Sequence, residues 1–169
     1  MTKTKEMLTK MSLEEKVGNL LRARSLKLAT AESCTGGWIG QVITMVPGSS
    51  RWFDRGFVTY TNEAKQDMLG VGSTTLKEFG AVSEQTVREM VAGTLARSRA
   101  QIAVAVSGIA GPDGGSKQKP VGTVMIAWGQ KDGDITAHSR HFHGDRDAVR
   151  RQTVIAALEG MLVLLSGKP

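Results

Sequence analysis

The apolar stretch LKLAT (26–30) runs into AESCTGG (31–37) and then into GWIGQVITMV (37–46), which Pro47-Gly48 stops. A short buried strand that passes through a glycine-rich turn into a helix has few ways to continue. The helix packs back on the sheet, and the next strand lies parallel to the first. QIAVAVSGIAGP (101–112) repeats the pattern in part, as an apolar strand running into a Gly/Pro loop. These two stretches point to an α/β sheet rather than to a bundle or a sandwich of antiparallel strands.

Ser12-Leu13-Glu14-Glu15 has the form of a capping box, and Leu13, Val17, Leu20 and Leu21 recur at helical spacing, so a first helix runs to about Arg24. RWFDRGFVTY (51–60) is a second strand, Asn62 caps a short helix through Met68, and Ser83 begins a longer one with Val87, Met90, Val91 and Leu95 on one face. VGTVMIAWG (121–129) and DITAHSRHFHG (134–144) are strands joined by the turn Lys131-Asp132-Gly133. A last helix starts at Asp145 and buries Val149, Ala156 and Met161. The order α-β-α-β-α-α-β-β-β-α makes a three-layer α/β/α sandwich on a largely parallel sheet, with a hairpin adding an antiparallel strand. One domain is expected over 1–169, with its core at about 12–166.

Composition narrows the function. The chain has 169 residues, 40% of them hydrophobic and 22% charged, as in an ordinary globular protein. One cysteine, Cys34, makes no internal disulfide and no zinc site. The C-terminal run MLVLL is too short to span a membrane, and the charged N-terminus lacks the apolar centre of a signal peptide, so a cytoplasmic protein is expected. A net charge of +6 suits an anionic partner, but aromatic residues at 5% are few for a base-stacking platform. A solvated basic surface is therefore the plainer reading than nucleic-acid binding, a phosphorylated small molecule stays open as the anionic partner, and neither nucleic acid nor membrane is expected.

Four constellations carry candidate chemistry. Ser33 falls where a strand ends and a helix begins, the place where ligands bind in α/β sheets. The amides of Cys34, Thr35, Gly36 and Gly37 there suit an oxyanion or a phosphate, yet the motif alone favours Ser33 or Thr35 as the cap of the helix. Lys65, in the first turn of the helix after Asn62, is either a general base with a depressed pKa or an exposed lysine. Tyr60, the only tyrosine, either donates a hydrogen bond into the same region or leaves its hydroxyl in water. SGIAGPDGG (107–115) is either a ligand-binding loop, with Ser107, Gly108 and Gly111 offering backbone and Asp113 a carboxylate, or an ordinary turn; it is no Walker A sequence. His141 and His143 share a strand face but have no third ligand, so no metal is assigned. Arg146 opens the last helix, where a cation needs an anion: a substrate phosphate, or Asp145 or Asp147. Together a serine, a lysine and oriented amides suit acyl transfer to water.

AESCTGG, PGSSRWFDRGFVTYTNEAK, GAVSE, SGIAGPDGG, KPVGTV and GDRDAVRRQ stand in one order along nearly the whole chain, from about Glu14 to Leu165. In these motifs the sequence resembles the stand-alone competence-damage protein C-terminal domain family. The resemblance implies a three-layer α/β/α sandwich with a mixed five-stranded sheet. It implies hydrolysis of the carboxamide of nicotinamide mononucleotide, in pyridine-nucleotide recycling, by a Ser/Lys mechanism that maps onto Ser33 and Lys65 with Tyr60 beside them. Arg146 and the 107–111 backbone are then the candidates for the substrate phosphate, and no cofactor is implied. A non-catalytic nucleotide-binding module built from the same amides and Arg146 is the alternative. Relatives with a larger N-terminal domain imply that any activity of that domain is missing here. A symmetric dimer is expected for an enzyme of this size.

Overall fold

The computed structural model describes residues 11–167. The charged stretch 1–10, residues 168–169 and hence the expected outer limits of the domain lie outside the described residues.

Helix α1 (Leu13–Ala23) opens on the anticipated capping box: the Glu15 amide donates to the Ser12 hydroxyl at 3.4 Å and the Ser12 amide to the Glu15 carboxylate at 2.8 Å. Strand β1 (Leu28–Glu32), helix α2 (Trp38–Thr44), a 3-10 turn (Ser49–Arg51) and strand β2 (Phe53–Val58) follow. Three helices come next, α3 (Asn62–Leu69), α4 (Ser73–Phe79) and α5 (Glu84–Ala96). Strands β3 (Ile102–Gly108), β4 (Thr123–Gln130) and β5 (Ile135–His141) precede the long helix α6 (Arg146–Ser166).

Three details correct the sequence reading. Helix α4 was not anticipated: it starts after Gly72 without a side-chain cap and buries only Leu76, so it carries neither a start signal nor a period. Thr61, not Asn62, caps α3, its hydroxyl accepting from the Ala64 amide at 3.0 Å; both residue types cap well, and the reading was one position late. On α6, Val149 and Met161 are buried as expected, but Ala157 is the buried alanine and Ala156 is only half-buried.

The sheet order is β2-β1-β3-β4-β5. β1 pairs in parallel with β2 and β3, and β4 is antiparallel to both β3 and β5, so four of the five strands run in one direction. The two faces differ in bulk. Ile102, Val104, Val106, Val124, Ile126 and Trp128 pack under α1, α2 and α6. Ala103, Ala105 and Ala127 face α3, α4 and α5, which close over a shallower surface. Within that layer, a Cβ at Gly93 of α5 would run into the Leu69 carbonyl at the end of α3, so glycine permits the close approach.

Register is what builds the site. Glu32 is paired with Val58 on one side and Val106 on the other. The residues that follow these strand positions, Ser33, Thr59-Tyr60 and Ser107-Gly108, therefore leave the sheet side by side.

Candidate active site

Ser33 is 7% exposed, and its amide donates to the Val106 carbonyl at 3.1 Å, which ties the turn to β3. It does not cap α2. That role falls to Glu32, a buried carboxylate that accepts from the Ile39 amide at 2.8 Å, the Gly40 amide at 3.0 Å and the Thr35 hydroxyl at 2.6 Å. The acid sits at the positive end of the helix dipole and leaves the Ser33 hydroxyl uncommitted to the helix.

Lys65 reaches that hydroxyl from α3 on the opposite side of the turn. Its Nζ donates to Ser33 Oγ at 3.0 Å, to the Thr59 carbonyl at 2.9 Å and to the Tyr60 carbonyl at 3.3 Å. The side chain is 1% exposed, and no carboxylate stands within salt-bridge distance among the described residues. Burial pushes its pKa below the ordinary lysine value, against a smaller opposing pull from Cys34. Without its extra proton, the amine keeps two N–H groups for the two carbonyls and turns its lone pair to the Ser33 hydroxyl. Such a pair can transfer the serine proton.

The cleft above the pair has a volume of about 240 Å³ and is lined by Ser33, Cys34, Tyr60, Lys65, Ala81, Val82, Ser107, Gly108, Ala110 and Arg146. Seven of these ten were candidates from sequence. Thr35, Gly36 and Gly37 are not among the lining residues: Thr35 is fully buried with its hydroxyl on Glu32, and the Gly36 amide donates to the Ser33 carbonyl at 3.0 Å. The Cys34 thiol is buried, and that burial pushes its pKa up to about 11, so it is a neutral wall of the cleft.

Tyr60 contributes two separate groups. Its carbonyl accepts from Lys65 and, at 3.4 Å, from the Ser33 hydroxyl, whereas its exposed phenol accepts from Arg146 Nη2 at 3.0 Å. Arg146 Nη1 donates to the Gly111 carbonyl at 2.8 Å, which brings Gly111 to the cleft through the arginine. Neither neighbouring aspartate pairs with Arg146. Asp145 caps α6 by accepting from the Ala148 amide, and Asp147 accepts from Arg151 at 3.0 Å. The cation thus stands at the mouth of the cleft with no counter-ion among the described residues.

His141 and His143 lie edge to face with ring centres 5.0 Å apart, both exposed. Among the described residues no group of three or more His, Cys, Asp and Glu side chains is placed to hold a metal ion. No described helix is long and apolar enough to cross a membrane. Sequence reasoning missed the apolar wall of Ala81, Val82 and Ala110, which offers no chemical signal, and it missed Glu32 and Arg150. Glu32 reads as a polar strand end until its acceptors are seen. Arg150 is signalled only by falling one turn after Arg146.

The model of the CinA C-terminal domain family matches residues 10–165. The nicotinamide-nucleotide amidohydrolase PncC of Escherichia coli (strain K12) is 56% identical over 149 residues, which are 88% of this chain and 90% of that protein. The protein of the same name from Pseudomonas putida is 55% identical over 154 residues, 90% of this chain and 95% of its own. Among solved structures, the competence/damage inducible protein CihA from Agrobacterium tumefaciens superposes with a TM-score of 0.87 at 51% identity, covering 91% of this chain and 93% of that one.

Proposed function

The chain belongs to the CinA C-terminal domain family, and from that membership we propose that it hydrolyses nicotinamide mononucleotide to nicotinate mononucleotide and ammonia through a Ser33–Lys65 dyad. The names of two relatives more than half identical to this chain support the substrate. The observation that carries the mechanism is the buried Lys65 amine 3.0 Å from Ser33 Oγ, with no carboxylate in salt-bridge reach among the described residues.

In this reading Ser33 Oγ attacks the carboxamide carbon and its proton passes to Lys65 Nζ. The amides that follow Ser33, that of Cys34 in the cleft wall foremost and that of Thr35 behind it, stabilise the oxyanion. Collapse breaks the C–N bond, and the proton held by Lys65 leaves with the amine as ammonia, giving a nicotinoyl ester on Ser33. Water then attacks the ester, Lys65 takes its proton and returns it to Ser33 Oγ, and the acid is released. Nucleophile, base and oxyanion donors are all protein groups, so the scheme needs no cofactor. The ring lies against Ala81, Val82 and Ala110, and the phosphate meets Arg146 and the backbone at Ser107, Gly108 and Gly111. Recycling of pyridine nucleotides in the cytoplasm fits a substrate too charged to cross a membrane unaided.

The test is ammonia release from nicotinamide mononucleotide in the presence of EDTA, with the nucleotide product identified by mass. The intact protein should release ammonia, and Ser33→Ala and Lys65→Ala should not. Activity surviving Ser33→Ala would overturn the nucleophile. Substrate that binds to the intact protein without turnover would make the chain a nucleotide-binding module.

A further inference from the structure

We propose that Arg150 is a positioning residue that aims the oxyanion donors of this site; the proposal rests on Ser33 being the nucleophile. Arg150 lies one helical turn after Arg146 on α6, so both reach the same end of the sheet. Arg146 enters the cleft, whereas Arg150 goes beneath the nucleophile turn. Its Nε donates to the Cys34 carbonyl at 3.1 Å and its Nη2 to the Thr35 carbonyl at 3.2 Å. The guanidinium carbon sits 5.2 Å from the centre of the Trp38 ring, which holds the fork in place.

The consequence follows from peptide geometry. In a planar trans peptide the N–H points opposite to the C=O. With the Cys34 carbonyl drawn toward α6, the Thr35 N–H is turned to the far side. With the Ser33 carbonyl drawn back to the Gly36 amide at 3.0 Å, the Cys34 N–H is turned outward as well. Helices α6 and α3 pack on opposite faces of the sheet, so the side away from Arg150 is the side from which Lys65 approaches. Neither the Cys34 nor the Thr35 amide donates to another residue among the described residues, the Cys34 amide facing only its own thiol, although the residues are 6% and 0% exposed. Two successive buried amides without partners are costly unless a ligand oxygen takes them.

Charge adds to aim. Arg150 belongs to none of the ion pairs among the described residues. Its positive charge meets the Cys34 and Thr35 carbonyls and the face of Trp38. It polarises two peptides: the N–H of the first is that of Thr35, a stronger donor as an oxyanion forms, and the N–H of the second is that of Gly36, which holds the Ser33 carbonyl and with it the Cys34 amide in place.

Arg150→Lys keeps a cation on a long stem but cannot span two carbonyls; Arg150→Met keeps the contact with Trp38 and removes the charge. Two reactions are measured beside the melting temperature: ammonia release from nicotinamide mononucleotide, and phosphonylation of Ser33 by a small fluorophosphonate, followed by intact mass. In the second, Ser33 Oγ bonds to phosphorus, fluoride leaves and the serine proton goes to solvent through Lys65, so no carboxamide is required. Both variants should lose roughly tenfold to a hundredfold in kcat and in phosphonylation rate, with KM within about threefold and the melting temperature held. Rates equal to those of the intact protein would overturn the proposal. So would losses that follow a fall in melting temperature and a rise in KM, because those describe a packing role. If the intact protein phosphonylates but releases no ammonia, the nucleotide reading fails while slower phosphonylation of the variants still supports Arg150. An intact Ser33 that does not react with the probe overturns both.

Discussion

Lys65 Nζ lies 3.0 Å from Ser33 Oγ across 32 residues of chain, and its two other contacts are uncharged carbonyls. The burial that lowers the Lys65 pKa has a kinetic sign. The competent form of the lysine is the free base, so kcat/KM rises with pH through the lowered pKa and levels above it. The acid limb of the pH profile should therefore fall below the ordinary lysine range, and Lys65→Arg, which cannot deprotonate, should abolish activity at every pH. A profile from the intact protein whose only rise coincides with ordinary lysine titration would contradict a buried base.

Cys34 adjoins Ser33 yet should be chemically quiet. With its pKa pushed up to about 11 by burial, its thiolate fraction at pH 8 is on the order of one in a thousand. Iodoacetamide at pH 8 should leave the native protein unmodified and active, and it should add one carbamidomethyl group after unfolding in guanidinium. Rapid alkylation of the native protein, read by intact mass, would show a thiol more exposed or more acidic than the packing around it allows.

Glu32 links stability to the site. Glu32→Ala strips the acceptor from the Ile39 and Gly40 amides and from the Thr35 hydroxyl, all at the buried start of α2. The expected cost is about 3 kcal/mol, which in a domain of this size lowers the melting temperature by roughly 6–12 °C. Calorimetry of the variant checks it. A shift under about 2 °C would mean that water replaces the carboxylate at no cost.

How much of this was legible in sequence follows the reach of each signal. Ser12, Ser83 and Asp145 announce their helices because a cap is a contact across three residues, and all three accept as caps do. The Thr61–Asn62 pair defeated the same rule by offering two good caps in succession. Apolar strands ending in glycine turns foretold a shared sheet edge. They did not foretell that Glu32 pairs in register with both Val58 and Val106, which is what brings Ser33 beside Thr59 and Ser107. Whether Ser33 caps the helix could not be decided from its own motif. The contact that takes the cap from it, Glu32 on the helix start, depends on the turn being folded.

Substitution of Arg146 should separate recognition from chemistry. Its guanidinium is held by the Gly111 carbonyl and the Tyr60 phenol, with no carboxylate among the described residues to neutralise it, and it lines the same cleft as Ser33 and Lys65. A charge-assisted contact with phosphate contributes about 1.5–3 kcal/mol, so Arg146→Ala should raise KM for nicotinamide mononucleotide roughly tenfold to 150-fold with kcat little changed. The riboside, which lacks the phosphate, should be hydrolysed equally by the intact protein and the variant. Tyr60→Phe, which removes one of the two tethers and none of the charge, should have a smaller effect in the same direction. Steady-state kinetics on both substrates decides the point. An equal loss on nucleotide and riboside would assign Arg146 to shaping the cleft through Gly111, and the phosphate would then have to meet the protein elsewhere.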